Sequence, residues 1–499
     1  MSRKKRRKAS VSQSPNPGPV PASSQWRFFV WACCFFFLAA LLVQLDVMTA
    51  WPGGEGFALA RALDAGWGDY LPASINHVLL PLGDALSDDP DSRFLFPRML
   101  SAFWLVLAAF FTYRWTSRLF GTQVSQLALL CAGASLFLPF FGKVATADTL
   151  ALLGHAGMLW SLLLYALAKD QRKIYAFGVF VLLAAIAAPV STLLLSMMVV
   201  VLAVFQRTDY SWTTPAGVAV GISMLVLLVQ GPQGANTYWY YGQEDSRVLD
   251  LLYYGLLGML PLAGWVIAGF RDLIFKARNF EQFSMIVGMA MVVTLLAQSL
   301  LFMYLVALLA GKQMQLYFSE PNYPWKDFVR ATSVVQLVVA FIGAFLLLTG
   351  GAISFPGGGF RAALGMAAAY WIFSLLAVLG IFGDRRNFAL GGSILSGMLT
   401  VMFFWVQVYP YVEVERSWPE DLLSQVTEPA TLQIPDEADE SELSTALPYF
   451  RMAGWELAQE GSYRLSMAPV AADSLEGAGA RVRGRAILQP LTFVLSPVE

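Results

Sequence analysis

The placement of charged residues constrains this chain more than any other feature. From about Arg27 to about Gln407 the sequence is a succession of apolar runs separated by short polar breaks. Hydrophobic residues make up 57% of the chain and charged residues 13%, whereas a soluble domain is about half apolar and about a quarter charged. A helix needs about 20 mostly apolar residues to cross a bilayer. The sequence therefore predicts an all-α polytopic membrane protein.

The apolar runs predict about thirteen transmembrane helices. Their expected bounds are 27–46, 98–118, 122–141, 149–168, 173–188, 190–206, 213–231, 249–270, 282–297, 300–312, 331–350, 360–382 and 387–407. The stretch 282–312 could instead be one long span. Two short spans with a break near Gln298 are favoured, because they keep the basic residues on one side of the membrane.

Basic residues occur in every second polar break if the N-terminus is cytoplasmic. These positions are Arg114, Arg118, Lys169, Arg172, Lys173, Arg207, Arg271, Lys276, Arg278, Lys312, Lys326, Arg330, Arg385 and Arg386. The asymmetry matches the positive-inside rule and predicts a cytoplasmic N-terminus and an outer C-terminus. The basic run RKKRRK at 3–8 is then an anchor for anionic lipids rather than a nucleic-acid site, and no nucleic-acid partner is expected.

Composition divides the chain into three parts. Residues 1–26 form a basic, Ser/Pro-rich cytoplasmic tail, 27–411 a transmembrane domain, and 412–499 a small extracytoplasmic domain. The first outer loop, 46–97, contains an amphipathic segment at 55–66, which predicts a juxtamembrane helix lying in the interface plane. The C-terminal part contains one helix-like and three strand-like runs, which predict an α+β fold. They lie at 440–452, 430–434, 463–467 and 486–495.

Polar side chains that could carry chemistry cluster at the expected outer edges of the spans. They include Glu55, Arg98, Lys143 and Asp148. Two carboxylates and two cations suit a reaction between a lipid-linked donor and an outer acceptor, with a carboxylate as general base and cations holding a phosphate. Structural roles remain open for each residue. The carboxylates could complement helix dipoles, Lys143 could snorkel, and Arg98 could anchor its span.

Residue types that bind metals are sparse. Cys33, Cys34 and Cys131 lie inside apolar runs and form no CxxC pattern. His155 lies inside a predicted span, where a hydrogen bond between helices accounts for it. Because the His and Asp residues do not cluster with ligand spacing, no metal and no other cofactor is expected.

Several segments, taken in order, resemble the integral-membrane (C-type) glycosyltransferases, in particular the aminoarabinose transferase and protein O-mannosyltransferase group. GGEGFALARALDAGWGDYL at 53–71 is similar to the acidic family motif that opens a juxtamembrane helix. FPRMLSAF at 96–103 looks like the start of the second span of the family. KVATADTLALL at 143–153 looks like its second outer loop, with Lys143 and Asp148 at the positions of the base and the acid.

The resemblance implies roles for individual residues and also reveals departures. It implies Glu55 and Asp148 as catalytic carboxylates and matches Tyr304 to the tyrosine that follows a lysine before the tenth span. The catalytic Asp of the family falls on Gly54, an expected arginine falls on Phe57, and both that lysine and the Lys-Pro-Pro motif are missing. Either the remaining polar residues bind the phosphate or the protein no longer catalyses. These residues are Arg61, His77, Arg98 and Lys143.

The sequence leads to one preferred function and two alternatives. The preferred function is sugar transfer from a polyprenyl-phosphate-linked donor to a lipid, glycan or protein acceptor on the outer face of the cytoplasmic membrane. The first alternative is a catalytically degenerate subunit of the same fold with a binding or structural role. The second is a transporter or lipid-handling protein, which the scarcity of charges inside the spans disfavours.

Overall fold

The computed structural model describes residues 24–43, 45, 94–166, 168–205, 212–230, 251–252, 255–279, 281–320, 322–354, 359–410, 430–433, 447–458, 461–469, 483–485 and 489–498. Up to residue 410 these residues are almost entirely helical. The helices are α1 Ser24–Leu42, α2 Leu95–Phe120, α3 Thr122–Gly133, α4 Leu138–Phe141, α5 Asp148–Ala166, α6 Lys173–Ala187, α7 Pro189–Phe205, α8 Thr213–Gln230, α9 Ala263–Arg278, α10 Gln282–Leu296, α11 Leu301–Ser319, α12 Lys326–Ser354, α13 Gly359–Phe382 and α14 Arg386–Phe403.

The helices have the lengths and compositions of a multi-pass membrane protein. Six described helices are long and apolar enough to cross a bilayer, and a seventh span exists if the pair Leu260–Arg278 and Phe283–Leu296, bent by 120°, counts as one. The six are α2, α5, α11, α12, α13 and α14 with its continuation to Val408. The shorter apolar helices coincide with further predicted spans. The predicted total of about thirteen crossings stays a prediction.

Helix α5 is the interior element of the bundle. Of its 19 residues only Tyr165 is not buried, and the helix packs against α6 and α2. A helix that is apolar on all sides belongs in a core. By contrast, α12 leaves an apolar face open, with Phe341 60% and Phe345 59% exposed. The environment of that face in a membrane protein is lipid.

Helices α13 and α14 share the most extensive contact between any two helices in the described chain. A Cβ atom added at Gly392 of α14 would lie 2.5 Å from the backbone nitrogen and 2.8 Å from the Cα of Ala377 in α13. Small residues let helix backbones approach in this way inside membranes, where packing replaces the hydrophobic effect as the driving force.

The structure confirms the predicted break near Gln298 and differs from three other predicted spans. Gln298 has a φ of 53° and separates α10 from α11. The run 249–270 does not form one helix, because a 3₁₀ turn at Leu260–Leu262 precedes α9 and contains a proline, which lacks the backbone donor of a helix interior. The run 122–141 is divided into α3 and α4. The run 300–312 extends to Ser319, so Lys312 lies within a helix.

Two polar clusters join helices at the end of the bundle where Lys276, Lys312 and Lys326 lie. In the first, Asp272 accepts hydrogen bonds from Lys276 at 2.9 Å and from Gln313 at 3.1 Å, and Gln313 in turn accepts one from Tyr323. In the second, Asp384 accepts from Lys326 at 3.0 Å, from Arg330 at 3.2 Å and from Tyr317 at 3.3 Å. The clusters connect α9, α11, α12 and the turn after α13.

The C-terminal residues that are described form a five-stranded sheet and a short helix. The strands are β1 Thr431–Gln433, β2 Glu456–Ala458, β3 Tyr463–Pro469, β4 Arg483–Arg485 and β5 Gln489–Pro497, and α15 is Leu447–Met452. The order in the sheet is β2-β1-β3-β5-β4. Strand β1 pairs in parallel with β2 and β3, whereas β5 pairs antiparallel with β3 and β4. Phe450, Trp455 and Leu465 are buried here.

Candidate functional site

Asp148 is the first residue of α5 and lies in a polar corner between helices. Its carboxylate accepts a hydrogen bond from the hydroxyl of Thr146 at 2.8 Å and is almost completely buried. A carboxylate in the first turn also interacts favourably with the helix dipole. The neighbouring Thr149 shares a hydrogen bond of 2.9 Å with Ser101 of α2. This bond fixes the start of α5 against the first turns of α2.

Lys143 lies in the turn between α4 and α5 and is fully buried. Its ammonium group donates a hydrogen bond to the carbonyl oxygen of Val43, just after the end of α1. The same nitrogen lies 4.2 Å from the centre of the Trp405 ring, well inside the range of a cation–π contact. Lysines are almost never fully buried without such partners.

Arg98 lies in the first turn of α2 and is also fully buried. Its Nη1 atom donates a hydrogen bond of 3.3 Å to the carbonyl oxygen of Leu45, and its guanidinium lies 5.8 Å from the centre of the Phe94 ring. The peptide carbonyl groups that follow a helix carry partial negative charge, which a cation compensates. Arg98 therefore performs a structural function at the end of α1, whatever else it does.

The structure brings three of the predicted site residues to one end of the bundle. Arg98 and Lys143 bind carbonyl groups only two residues apart in the chain, at Leu45 and Val43, a separation of at most about 7 Å along the backbone. Asp148 lies at the same end because the bond between Ser101 and Thr149 ties α5 to α2. Two buried cations and one buried carboxylate thus line the junction of α1, α2 and α5.

Tyr304 does not join this cluster. It is buried in the first turns of α11, and its ring meets the ring of Trp160 edge-on at 6.4 Å. Trp160 lies twelve residues beyond Asp148 on α5, which corresponds to about 18 Å along an α-helix. Tyr304 therefore lies deep in the helical bundle and away from Arg98 and Lys143.

Three predicted site residues lie outside the described residues. They are Glu55, Arg61 and His77, and their roles stay predictions. Within the described part of the chain, no three His, Cys, Asp or Glu side chains come together in a way that could hold a metal ion.

His155 has the helix-packing role that the sequence suggested. Its Nδ1 atom bonds the hydroxyl of Ser299 at 2.7 Å, and its Nε2 atom bonds the hydroxyl of Thr192 at 3.1 Å. The two bonds join α5 to α7 and to the break before α11. A small apolar cavity of about 10 Å³ borders this imidazole and is lined by Met158, Met198 and other apolar side chains.

Sequence reasoning missed Trp405, whose ring lies against the predicted cation Lys143. Trp405 belongs to a π-helical turn, Phe404–Val408, that continues α14. In the sequence this segment is simply the end of an apolar run, and no pattern in it indicates either the turn or the partner. Asp272 was missed as well, because its neighbours in sequence are basic and suggested a polar loop rather than a buried network.

The arrangement of helices is shared with solved structures of a C-type integral-membrane glycosyltransferase, the fold that the sequence resemblance predicted. The solved structures that share it include two of ArnT, an aminoarabinose transferase, from Cupriavidus metallidurans.

The apo structure of ArnT matches with a TM-score of 0.55 and 14% sequence identity, covering 94% of this chain and 98% of ArnT. The structure of ArnT bound to undecaprenyl phosphate matches with a TM-score of 0.55 and 13% identity, covering 95% and 98%. At this level of identity the likeness concerns the fold alone. No protein-family model and no curated protein matches the sequence.

Proposed function

We propose that this protein transfers a sugar from a polyprenyl-phosphate-linked donor to a lipid, glycan or protein acceptor on the outer face of the cytoplasmic membrane. The observation that carries the proposal is the convergence of Arg98 and Lys143 at the same end of the bundle as Asp148, in a fold that ArnT shares. ArnT has been solved with undecaprenyl phosphate bound, and a buried pair of cations is the chemistry that would hold such a phosphate.

The reaction follows from the charges. An acceptor oxygen would attack the anomeric carbon of the donor sugar, and the bond between that carbon and the phosphate oxygen would break. The leaving polyprenyl phosphate takes the electron pair, so the cations Arg98 and Lys143 would stabilise the transition state. The proton of the acceptor would pass to a carboxylate, for which Glu55 is the proposed general base and Asp148 the second carboxylate. Burial of Arg98, Lys143 and Asp148 limits competing hydrolysis.

A comparison of envelope glycolipids and glycoproteins by mass spectrometry tests the proposal. Six strains are compared: wild type, deletion, and the deletion complemented with the intact gene, with Glu55→Ala, with Asp148→Asn or with Asp327→Asn. A sugar-sized mass that disappears on deletion and returns with the intact gene and Asp327→Asn, but not with Glu55→Ala or Asp148→Asn, supports the proposal. Asp327→Asn is the matched control, because its carboxylate is fully exposed at the other end of the bundle. An envelope unchanged by the deletion would contradict sugar transfer.

A catalytically degenerate subunit of the same fold is the second candidate. It is favoured because Arg98 and Lys143 both donate hydrogen bonds to backbone carbonyl groups at the end of α1, a structural role that needs no phosphate. In this case Arg98→Lys and Lys143→Arg would change the stability of the protein and no glycan. Sugar transfer by the purified protein alone would exclude this candidate.

A further inference from the structure

The last membrane helix changes its geometry where it meets the candidate site. From Phe404 to Val408 the helix α14 continues as a π-helical turn, in which the backbone N–H of Tyr409 bonds the carbonyl of Phe404 five residues earlier. Such turns are rare and occur frequently at functional sites, because the extra residue re-aims the side chains around it. In this protein the turn contains Trp405, a residue that the proposed reaction has not used.

Trp405 is held in a fixed orientation by aromatic neighbours. Its side chain is 1% exposed, its ring stacks on Phe140 at 6.0 Å with an angle of 13° between the planes, and the ring of Tyr409 lies at 4.7 Å. Phe140 belongs to α4, three residues before Lys143, and the N–H of Lys143 bonds its carbonyl at 2.9 Å. The same short segment therefore supports both the ring and the lysine.

The ammonium group of Lys143 is held from two directions. The face of the Trp405 ring lies on one side at 4.2 Å, and the carbonyl oxygen of Val43 accepts a hydrogen bond on another. A cation–π contact is stronger when both partners are removed from water, as they are here.

We propose that Trp405 is a positioning residue that holds the Lys143 ammonium in the orientation required to bind the phosphate of a polyprenyl phosphate. The proposal rests on the proposed function, because it assigns that phosphate to Lys143. Trp405 does not contact the reacting atoms, and it acts through the lysine. The π-helical turn is the element that places the ring against the ammonium.

A purely structural tryptophan gives a different result from a positioning one. If Trp405 only filled space, its replacement would weaken every ligand alike and would have the same effect whether or not Lys143 is present. If it positions the ammonium, its replacement weakens only phosphate-bearing ligands, and only in proteins that retain Lys143. A double-mutant cycle separates these cases.

The test uses the full-length protein in detergent and measures affinity for undecaprenyl phosphate and for the neutral alcohol undecaprenol. The proteins are wild type, Lys143→Met, Trp405→Leu, the double variant and Trp405→Phe. We expect Trp405→Leu to weaken undecaprenyl phosphate binding roughly three- to ten-fold, with no further loss when it is added to Lys143→Met. Trp405→Phe keeps a ring face and should restore most of the affinity. Undecaprenol binding should not change.

A variant that conserves the shape of the ring keeps the test decisive if Trp405→Leu fails to fold. Site-specific replacement of Trp405 by a multiply fluorinated tryptophan nearly keeps the size of the ring and weakens the negative electrostatic potential of its face. It should lower phosphate affinity as Trp405→Leu does, with an unchanged melting temperature.

The possible results are distinct. Equal losses for both ligands, or losses independent of Lys143, would overturn the positioning role and leave the proposed function intact. If the fluorinated ring kept wild-type affinity, the positioning role would also be excluded. A wild-type protein that binds undecaprenol as tightly as undecaprenyl phosphate would overturn both the proposed function and this inference.

Discussion

The ring of Phe94 meets the ring of Tyr449 edge-on, with 5.9 Å between their centres. Phe94 directly precedes α2 and also lies under the guanidinium of Arg98, whereas Tyr449 belongs to α15 next to the C-terminal sheet. The contact therefore connects the C-terminal part of the chain to a residue of the candidate site. Both rings are buried, as expected for a docked interface rather than a chance approach.

This contact predicts a specific effect on the dynamics of α15. Tyr449→Leu and Phe94→Leu should each speed amide hydrogen exchange in Leu447–Met452, because an aromatic pair contributes about 0.5–1.5 kcal/mol beyond its buried area. The double variant should exchange no faster than the faster single variant. Phe103→Leu is the matched control, since this phenylalanine lies on α2, the helix that Phe94 precedes, with 52% of its surface exposed. Additive effects of the two substitutions would show that the rings are not coupled.

The buried network around Asp272 predicts a loss of stability on substitution of its central amide. Gln313→Leu removes one hydrogen bond to the Asp272 carboxylate and the acceptor of the Tyr323 hydroxyl. Leaving such buried groups unpaired costs about 1–3 kcal/mol, which thermal and denaturant unfolding in detergent should detect. The control is Gln315→Leu on the same helix, whose bond to Arg386 is 3.4 Å long and only partly buried. Equal destabilisation by both substitutions would contradict the role of the network.

The Asp384 cluster predicts a pH dependence at the basic end of the bundle. The pKa of Asp384 is lowered from its ordinary value of 3.8, mainly by the hydrogen bond from Lys326 and also by the charges of Lys326 and Arg330. A carboxylate with a depressed pKa in the folded state stabilises the protein above its unfolded pKa, and this contribution disappears as the pH falls through the folded pKa.

We therefore expect Asp384→Asn to melt below wild type at neutral pH, with a difference that shrinks as the pH falls below 3.8. The effect should be small and should weaken in high salt, because about half of the Asp384 side chain is exposed. Asp327→Asn is the control, since that carboxylate is fully exposed and its ion pair with Arg330 is long, at 4.0 Å. A difference in melting temperature that grows on acidification would contradict a lowered pKa of Asp384 in the folded protein.

The contact between α13 and α14 predicts opposite effects for two adjacent glycines. Gly392→Ala would force a methyl group against the backbone of Ala377, so it should lower the melting temperature. Gly391→Ala meets only the ring of Phe29 at 3.9 Å, an ordinary contact. This second change should be neutral or stabilising by up to about 1 kcal/mol, because alanine favours a helix more than glycine does. Similar melting temperatures for the two variants would contradict the close approach.

The sequence predicts helices well here because an apolar run long enough to cross a bilayer has few other ways to satisfy its backbone. The break at Gln298 was predictable from the distribution of basic residues. The turn before Ala263 was not, since hydropathy averages over Pro261 and its neighbours. Basic residues such as Lys312 and Arg271 belong to helices rather than to loops, because their aliphatic stems and aromatic neighbours make helix ends compatible with charge.

The candidate site was partly predictable from the sequence, and there is a physical reason why some of its features were predicted and others were not. The grouping of Arg98, Lys143 and Asp148 was expected because each begins or precedes a helix at the same side of the bundle. The contact of Trp405 with Lys143 depends on a π-helical turn far along the chain, and local sequence does not encode such a turn. The placement of Tyr304 could not be read from hydropathy, which gives no position along the axis of a bundle.

The enclosure of α5 also has a consequence for the order of assembly. The two hydroxyl partners of His155 lie 37 and 144 residues further along the chain, at Thr192 and Ser299. During synthesis α5 is therefore made before either partner, and neither hydrogen bond of its imidazole can form until α7 and then the break before α11 have been made. A helix that is almost completely enclosed in the finished protein thus has part of its surface uncovered at first, and its continuous apolar composition suits it to both lipid and protein surroundings.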